Sequence, residues 1–285
     1  MVSRDTPDAP ALEPSVQNAL KAAVRQYWED APCGEVYATG DSEFARLERQ
    51  RAFRYALEPY IADFARFADG TGRDVLEIGV GMGADHLEWA KASPRSLAGV
   101  DLTEKAVELT RARLSYARLS SDLHVADAER LPFADERFDL VYSWGVLHHS
   151  PDTARAVREL IRVLRPGGTA RVMIYHRYSV VGYLLWLRYA LLAGHPGLTL
   201  SDVYATRLES PGTRAFSIDE ARAMFAGCSR VDVRTQLSFG DLLEGAAGER
   251  HGSAMLQIAR ALWPRWLIRR AFARQGLLLL VEAVK

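Results

Sequence analysis

The stretch Val75-Leu76-Glu77-Ile78-Gly79-Val80-Gly81-Met82-Gly83-Ala84-Asp85 decides the fold. It reads as an apolar strand, a glycine loop and the first turn of a helix that runs on through His86-Leu87-Glu88-Trp89-Ala90. Glycine at alternate positions strips Cβ atoms from one side of the turn, so a ligand can lie against bare backbone. The helix that follows points its unpaired N–H groups at the same spot and favours an anionic group there. Glu77 puts a carboxylate near the strand end. Together these features predict a nucleotide-like ligand. Gly79-x-Gly81-x-x-Ala84 also satisfies the dinucleotide fingerprint, with Asp101 roughly 20 residues on, where a ribose-binding acid is expected. The loop by itself therefore leaves a dinucleotide open.

Working outward, strands and helices alternate. Residues 73–79, 95–101 and His124–Asp127 (the end of a short strand) are followed by strands at Phe138–Trp144 and Thr169–His176. Helices are expected after the glycine loop, from the Thr103 cap to about Leu119, and over Asp152–Leu164. Arg165-Pro166-Gly167-Gly168 stops the last of these. This spacing implies parallel βαβ units and an open sheet covered on both faces. Ligands in such sheets bind at the carboxyl ends of the strands. Glu77, Asp101, Asp127, Ser143 and Tyr175 all fall at such ends.

On the N-terminal side, residues 1–14 carry three prolines and predict a disordered lead, followed by helices over Ser15–Glu29 and Phe44–Phe67, the second broken near Pro59. On the C-terminal side come an apolar helix over Tyr178–Leu192, a Gly/Pro connector over Gly194–Gly212, and a helix near Ser217–Phe225. A sixth strand is expected over Arg230–Leu237, helix over most of Asp241–Arg274 with a break at Pro264, and a seventh strand over Gly276–Val284. The expected fold class is α/β, a Rossmann-like seven-stranded, mostly parallel sheet with an α-helical lid. Its divisions are a helical cover over 15–68, a core over 69–176, a lid over 177–229, and a core segment with a second helical insertion over 230–285.

Composition narrows the function. With 36 basic and 36 acidic residues the net charge is zero, so nothing favours nucleic acid as a partner. The two cysteines match no metal or redox spacing and suggest a reducing compartment. The first ten residues lack the apolar core of a secretory signal, and no run reaches the ~18 apolar residues of a membrane span. A cytoplasmic location without stable membrane insertion is expected.

Five segments then act together: Val75–Asp85, Val100–Thr103, Asp127-Ala128-Glu129-Arg130-Leu131-Pro132-Phe133, Phe138–His149 and Arg162–Gly168. In this order and spacing they resemble a class I S-adenosylmethionine-dependent methyltransferase, and more narrowly the branch that methylates small molecules. The resemblance covers about residues 70–176. It implies S-adenosylmethionine as cofactor, bound by Glu77, Gly79, Gly81, Gly83, Asp101, Leu102, Asp127, Ala128, Glu129, Ser143 and Trp144. Asp101, an acceptor-only carboxylate, suits the ribose hydroxyls, and Asp127 the adenine amine; as alternatives they cap a helix and brace a turn. Glu77 meets the cofactor amine or holds the glycine loop through backbone bonds. Leu131 is an expected adenine neighbour or a core residue. An NAD-dependent oxidoreductase and a catalytically silent cofactor-binding partner are the alternatives.

The reaction needs acceptor and methyl in line with water excluded, and a hydroxyl acceptor also needs a base. The resemblance implies His148 or His149 for that role. His176 and Tyr175, at the end of the fifth strand, form the next candidate group. His148, His149, Asp152 and His176 are potential metal ligands, but their spacing matches no familiar site and no metal is expected. Tyr27, Trp28 and Tyr37 are expected either to line the pocket or to pack against the sheet. Trp186, Leu187, Tyr189, Leu191 and Leu192, with Trp263, Trp266, Leu267 and Phe272, give the lid an apolar surface. It would serve an aromatic or lipophilic acceptor, packing, or a homodimer contact.

Overall fold

The computed structural model describes residues 13–244 and 262–285. Most of the expected disordered lead, and residues 245–261 of the expected C-terminal helical stretch, lie outside the described residues.

Seven strands make one sheet in the order β3-β2-β1-β4-β5-β7-β6. They are β1 (Asp74–Ile78), β2 (Ser96–Asp101), β3 (Asp122–Val125), β4 (Phe138–Trp144), β5 (Leu164–Tyr175), β6 (Arg230–Gln236) and β7 (Leu278–Val284). The first five pair in parallel. β7 slots antiparallel between β5 and β6. Chain order reverses between β1 and β4, so their carboxyl ends flank the switch point at which such sheets bind ligands.

The middle strands are buried on both faces, which is why β1 and β4 read as near-continuous apolar runs rather than alternating ones. Successive side chains go to opposite layers. Leu76, Ile78, Val141 and Val172 pack under α6 (Thr153–Val163) and α9 (Ile218–Met224). Val75, Leu140 and Tyr142 meet Trp89 of α4 (Ala84–Lys91) and Phe64 of α3 (Tyr60–Ala65). Helix α5 (Glu104–Tyr116) packs beside α4, its N-terminus held by Thr103, whose hydroxyl accepts from the Ala106 N–H.

Outside the sheet, α1 (Pro14–Asp30) and α2 (Glu43–Leu57) form the N-terminal cover. Pro14, expected in the lead, opens α1 because proline suits the first helical turn, where no N–H partner is needed. The lid contains α7 (Val180–Trp186), which continues as a π-helical turn, and α8 (Leu200–Arg207). Helix α8 lies in what reads as a connector. Its signal is the capping box at Thr199 and Asp202, in which each side chain accepts the other residue's N–H.

Two further boundaries differ from expectation. β5 begins at Leu164 because Leu164 pairs with Phe138 before the chain bulges out and pairing resumes at Thr169 with Leu140. Asp241 starts no helix. It is fully buried and accepts the N–H groups of Val181, Ser238 and Leu277, tying the lid to both late strands. Of the expected C-terminal helix, the described residues show α10 (Arg265–Ala271), which starts directly after Pro264. Among the described residues no helix is long and apolar enough to cross a membrane.

Candidate active site

A single cavity of about 1010 Å³ runs from the glycine loop to the underside of the lid. Its wall is mainly apolar, with polar groups gathered at two ends. At one end are Glu77, Gly79, Gly81, Asp101, Leu102, Asp127 and Ala128. At the other are Trp144, His149, Tyr175 and Glu209, beneath lid residues such as Leu185 and Leu208.

The first end is built by backbone donors converging on strand-tip acids. Gly79 and Val80 donate their N–H groups to the Val100 carbonyl, drawing the loop over β2. The Gly81 N–H then donates to Asp101 Oδ2 at 3.0 Å, while Asp101 Oδ1 accepts from the Thr103 N–H at 3.0 Å and hydroxyl at 2.8 Å. Asp101 thus braces both the glycine loop and the start of α5, and still faces the cavity. Burial raises its pKa, and those N–H bonds oppose the rise. Asp127 plays the turn role, accepting the Glu129 N–H at 2.9 Å, and also binds Lys21 of α1 at 2.5 Å.

Glu77 lines the cavity, and its carboxylate is held by a side chain of α4 rather than by the glycine loop. Its carboxylate bonds His86 Nδ1 at 2.8 Å, and His86 Nε2 meets Ser121 Oγ at 2.8 Å. Burial pushes Glu77 well up and His86 down to about 3, so the contact is a hydrogen bond rather than an ion pair. Nearby, Arg54 forms a two-pronged bridge to Asp85, at 2.9 and 2.6 Å, with Tyr55 and Tyr142 hydroxyls on the same carboxylate. Arg54, Glu58 and Asp85 all face the cavity.

Several expected cofactor residues are not on the cavity wall. Gly83 faces α5, where a Cβ would lie 2.8 Å from the Thr110 hydroxyl oxygen; its role is helix packing. The Glu129 carboxylate, 3% exposed, is spent on Lys21, the Ser150 hydroxyl and the Asp152 N–H. It ties α1 to the turn that starts α6. Ser143 is fully buried and donates to the Ile78 carbonyl between β4 and β1. Leu131 belongs to the core.

At the second end, Tyr175 donates its hydroxyl to Glu209 Oε2 at 2.9 Å. Burial and the neighbouring Glu209 carboxylate hold this phenol well above its usual pKa, so it stays a neutral donor. His149 Nδ1 lies 2.8 Å from Ser210 Oγ and 3.1 Å from Thr213 Oγ1. The Thr213 hydroxyl already donates to the Ser210 carbonyl, so it can only accept from the ring. Both contacts hold the ring through Nδ1 and turn Nε2 toward Glu209 Oε2, 3.3 Å away.

The other histidines are placed otherwise. His148 has no exposure, lies off the cavity wall behind Tyr175 (ring centroids 3.9 Å apart), and is held well below its ordinary pKa by burial. It does not line the cavity. His176 is also buried and off the wall, its Nδ1 bonded to the Gly276 carbonyl at the entry to β7. That ring is a brace. Trp28 and Tyr37 line the cavity, Trp28 meeting His149 edge-on at 5.1 Å, whereas Tyr27 packs on Trp28 behind it.

Three wall residues escape a sequence reading. Lys21 sits on an ordinary amphipathic helix, and Arg54 and Glu58 lie at a helix end marked only by Pro59. Burial pushes Glu58 up to about 7, opposed by Arg54. Glu209, in the Glu-Ser-Pro-Gly-Thr turn, reads as able to reach an acceptor but carries no motif that ranks it above the histidines.

Comparison with known proteins supplies the class. Residues 76–172 match the family described as methyltransferase domain. Over 99 residues the chain is 37% identical to the 27-O-demethylrifamycin SV methyltransferase of Amycolatopsis mediterranei (strain S699), covering 34% of this chain and 36% of that protein. It is 40% identical over 99 residues to the phthiotriol/phenolphthiotriol dimycocerosates methyltransferase of Mycobacterium tuberculosis (strain ATCC 25618 / H37Rv), with the same coverage of 34% and 36%. The matched region is thus about a third of the length of these curated relatives. The [4+2]-cyclase SpnF superposes with a TM-score of 0.52 at 17% identity, over 95% of this chain and 94% of that one, a likeness of fold.

The matched region is a class I S-adenosylmethionine-dependent methyltransferase domain. S-adenosylmethionine is the cofactor of that domain, and neither the oxidoreductase nor the silent-partner reading finds support in these comparisons. The residues present fit this cofactor. A Cβ on Gly81 would meet no protein atom within 4 Å, so the loop borders open space, and the acids around that space suit hydroxyl, amine and sulfonium groups.

Proposed function

We propose that this protein transfers a methyl group from S-adenosylmethionine to a small, apolar or aromatic acceptor, at a hydroxyl or at a ring carbon activated by one. The observation that carries this reading is the continuity of the cavity. Asp101 and the glycine loop lie at one end, and a polar cluster of His149, Tyr175 and Glu209 lies at the other. At about 1010 Å³ it reaches the top of the usual range for one drug-sized ligand, which leaves room for an acceptor beside a cofactor. Two relatives support the acceptor class by name, one acting on 27-O-demethylrifamycin SV and the other on phthiotriol or phenolphthiotriol dimycocerosates.

The cofactor supplies an electrophilic methyl group on a positively charged sulfur. The chain's own residues do the rest. Asp101 accepts from the ribose hydroxyls, Asp127 from the adenine amine, and Leu102 and Ala128 flank the base. Trp144, stacked on Tyr60 at 6.1 Å, borders the reacting centre. His149 offers its Nε2 lone pair to the acceptor's proton, with Glu209 beside it to balance the resulting positive charge. Leu184, Leu185 and Trp263 close the cavity from the lid side and exclude water. A cytoplasmic location, the chain divisions given above and a homodimeric association belong to the same proposal.

Calorimetric titration with S-adenosylmethionine and with NAD, followed by release of S-adenosylhomocysteine over a panel of phenolic and aliphatic hydroxyl compounds, tests it. Heat with the first ligand and turnover of at least one acceptor are expected. Heat with NAD alone would overturn the reading.

A further inference from the structure

Beside the polar end of the cavity lie buried ring nitrogens that no described group satisfies. Both ring nitrogens of His148 and the Nε2 of His149 are buried without a hydrogen-bond partner. Buried polar atoms are rarely left so, and orphans of this kind mark the place of an ion or water. His149 Nε2 and Glu209 Oε2 lie 3.3 Å apart, yet no N–H···O bond joins them. In the tautomer with the ring hydrogen on Nδ1, the Nε2 lone pair points toward the Glu209 carboxylate, an arrangement that a cation can bridge.

We infer that His148, His149 and Glu209 form a binding site for one first-row divalent transition ion, of which Zn²⁺ is the representative. Each of the three brings one donor atom within 4.8 Å of the other two. A tetrahedral ion with ligand bonds of ~2.0–2.2 Å needs its donors roughly 3.3–3.6 Å apart, so modest ring rotations close the set. Two imidazoles and one carboxylate suit zinc, cobalt, nickel or iron, not magnesium or calcium, which take oxygen ligands.

The surroundings match what such a site requires. Ser210 and Thr213 hold the His149 ring through Nδ1, and the Tyr175 hydroxyl donates to the carboxylate. Outer-shell bonds of this type orient metal ligands. Three protein ligands leave one position open, as in catalytic rather than structural zinc sites. His149 and Glu209 both line the cavity, so that position faces the acceptor. Its ligand would be an oxygen, a hydroxyl or phenol of the acceptor. This last step rests on the proposed function; the ion site itself does not. In the loaded protein the ion would occupy the Nε2 lone pair, so that His149 would act as a ligand rather than as the base, and the ion would lower the pKa of the bound hydroxyl.

The test uses the full-length protein, stripped with a chelator and dialysed against Zn²⁺ or Co²⁺. The expected result is one ion per chain, a visible Co²⁺ absorption band of low-symmetry nitrogen–oxygen coordination, and loss of both in His149→Ala and in Glu209→Gln. Thr213→Val, outside the ligand set, should weaken binding by ~10–100-fold without abolishing the band. Circular dichroism confirms that each variant is folded, and these two ligand substitutions are chosen because His148 is fully buried. Sub-stoichiometric binding, or full binding by both ligand variants, overturns the site. Titration of the stripped protein with S-adenosylmethionine separates the two ideas. Cofactor binding without any ion site removes only this inference, and an ion site without cofactor binding removes only the proposed function.

Discussion

His149 Nε2 faces Glu209 Oε2 across 3.3 Å, joining the turn after β4 to a loop sixty residues further along the chain. The turn Leu147–His149 follows a strand of the parallel core, whereas Glu209 follows α8 in the lid. The two meet because the lid folds back over the carboxyl ends of the strands. One consequence is that the reactive end of the cavity exists only when the lid is docked.

Replacement of His149 by alanine is expected to lower kcat by ~10²–10⁴-fold, the usual range for a lost acid–base group, with cofactor affinity nearly unchanged. His176→Ala should instead lower thermal stability and leave the pH profile of turnover alone, since that ring braces Gly276 from outside the cavity. Steady-state kinetics across pH 6–9 on both variants checks this. Equal pH profiles for wild type and His149→Ala would remove the assignment.

Asp101→Ala should weaken S-adenosylmethionine binding by about 1.5–3 kcal/mol, the worth of hydrogen bonds to a charged group, or roughly 10–100-fold in Kd. The same substitution releases the Gly81 and Thr103 N–H groups, so some loss of stability accompanies it. Calorimetry compared with Asp101→Asn, which keeps one acceptor oxygen, separates ligand contact from loop bracing.

Two neighbouring glycines should respond differently to alanine. Gly79 has φ +84° and an added Cβ would lie 2.0 Å from Val146 Cγ2, so Gly79→Ala should strongly destabilise the fold. At Gly81, with φ +52°, an added Cβ meets nothing, and the cost should be about 1–2 kcal/mol of strain with the larger effect on cofactor affinity. Thermal melts with and without S-adenosylmethionine distinguish the two.

Glu58 predicts a pH dependence of stability. Its pKa in the folded chain is pushed up to about 7 by burial, against ~4.3 when unfolded. Between these values the folded state holds the extra proton, so stability falls as pH rises from about 4.5 to 7, with a slope on the order of 1 kcal/mol per pH unit. Glu58→Gln should flatten that slope. Urea denaturation at pH 5, 6 and 7 measures it, and parallel curves for the two proteins would refute the assignment.

Acid stability should depend on a second carboxylate. Asp74 accepts from Arg95 and Arg165, which with Ser96 hold its pKa well below the usual range. A depressed carboxylate stabilises the fold above its unfolded pKa, and that contribution is lost as pH falls through the folded value. Asp74→Asn should therefore be less stable than wild type at pH 7, with the difference shrinking below about pH 4. Denaturation at pH 7 and pH 3 tests this.

Local chemistry wrote most of the framework legibly. The glycine loop, the helix starts at Thr103, Asp152 and Ser217, and the apolar runs of β1 and β4 depend on residues within a few positions of one another. Periodicity and turn preference report such features directly, and the seven strands fall close to where those signals put them, except that β5 starts five residues early, before its bulge. The placing of Asp101 and Asp127 at or just past strand ends on the cavity wall was legible for the same reason, because a strand end is a local feature. The order of the strands was not, since the placement of β7 between β5 and β6 is a long-range pairing. Nor was the division of labour among polar residues. Lys21 reaches Asp127 and Glu129 from more than a hundred residues away, and Glu209 arrives at His149 only through the lid. His148 and His149 are adjacent in the chain, yet one is sealed behind Tyr175 while the other faces the cavity. Burial and distance belong to the packed chain as a whole, and they determine which of two identical side chains meets a ligand.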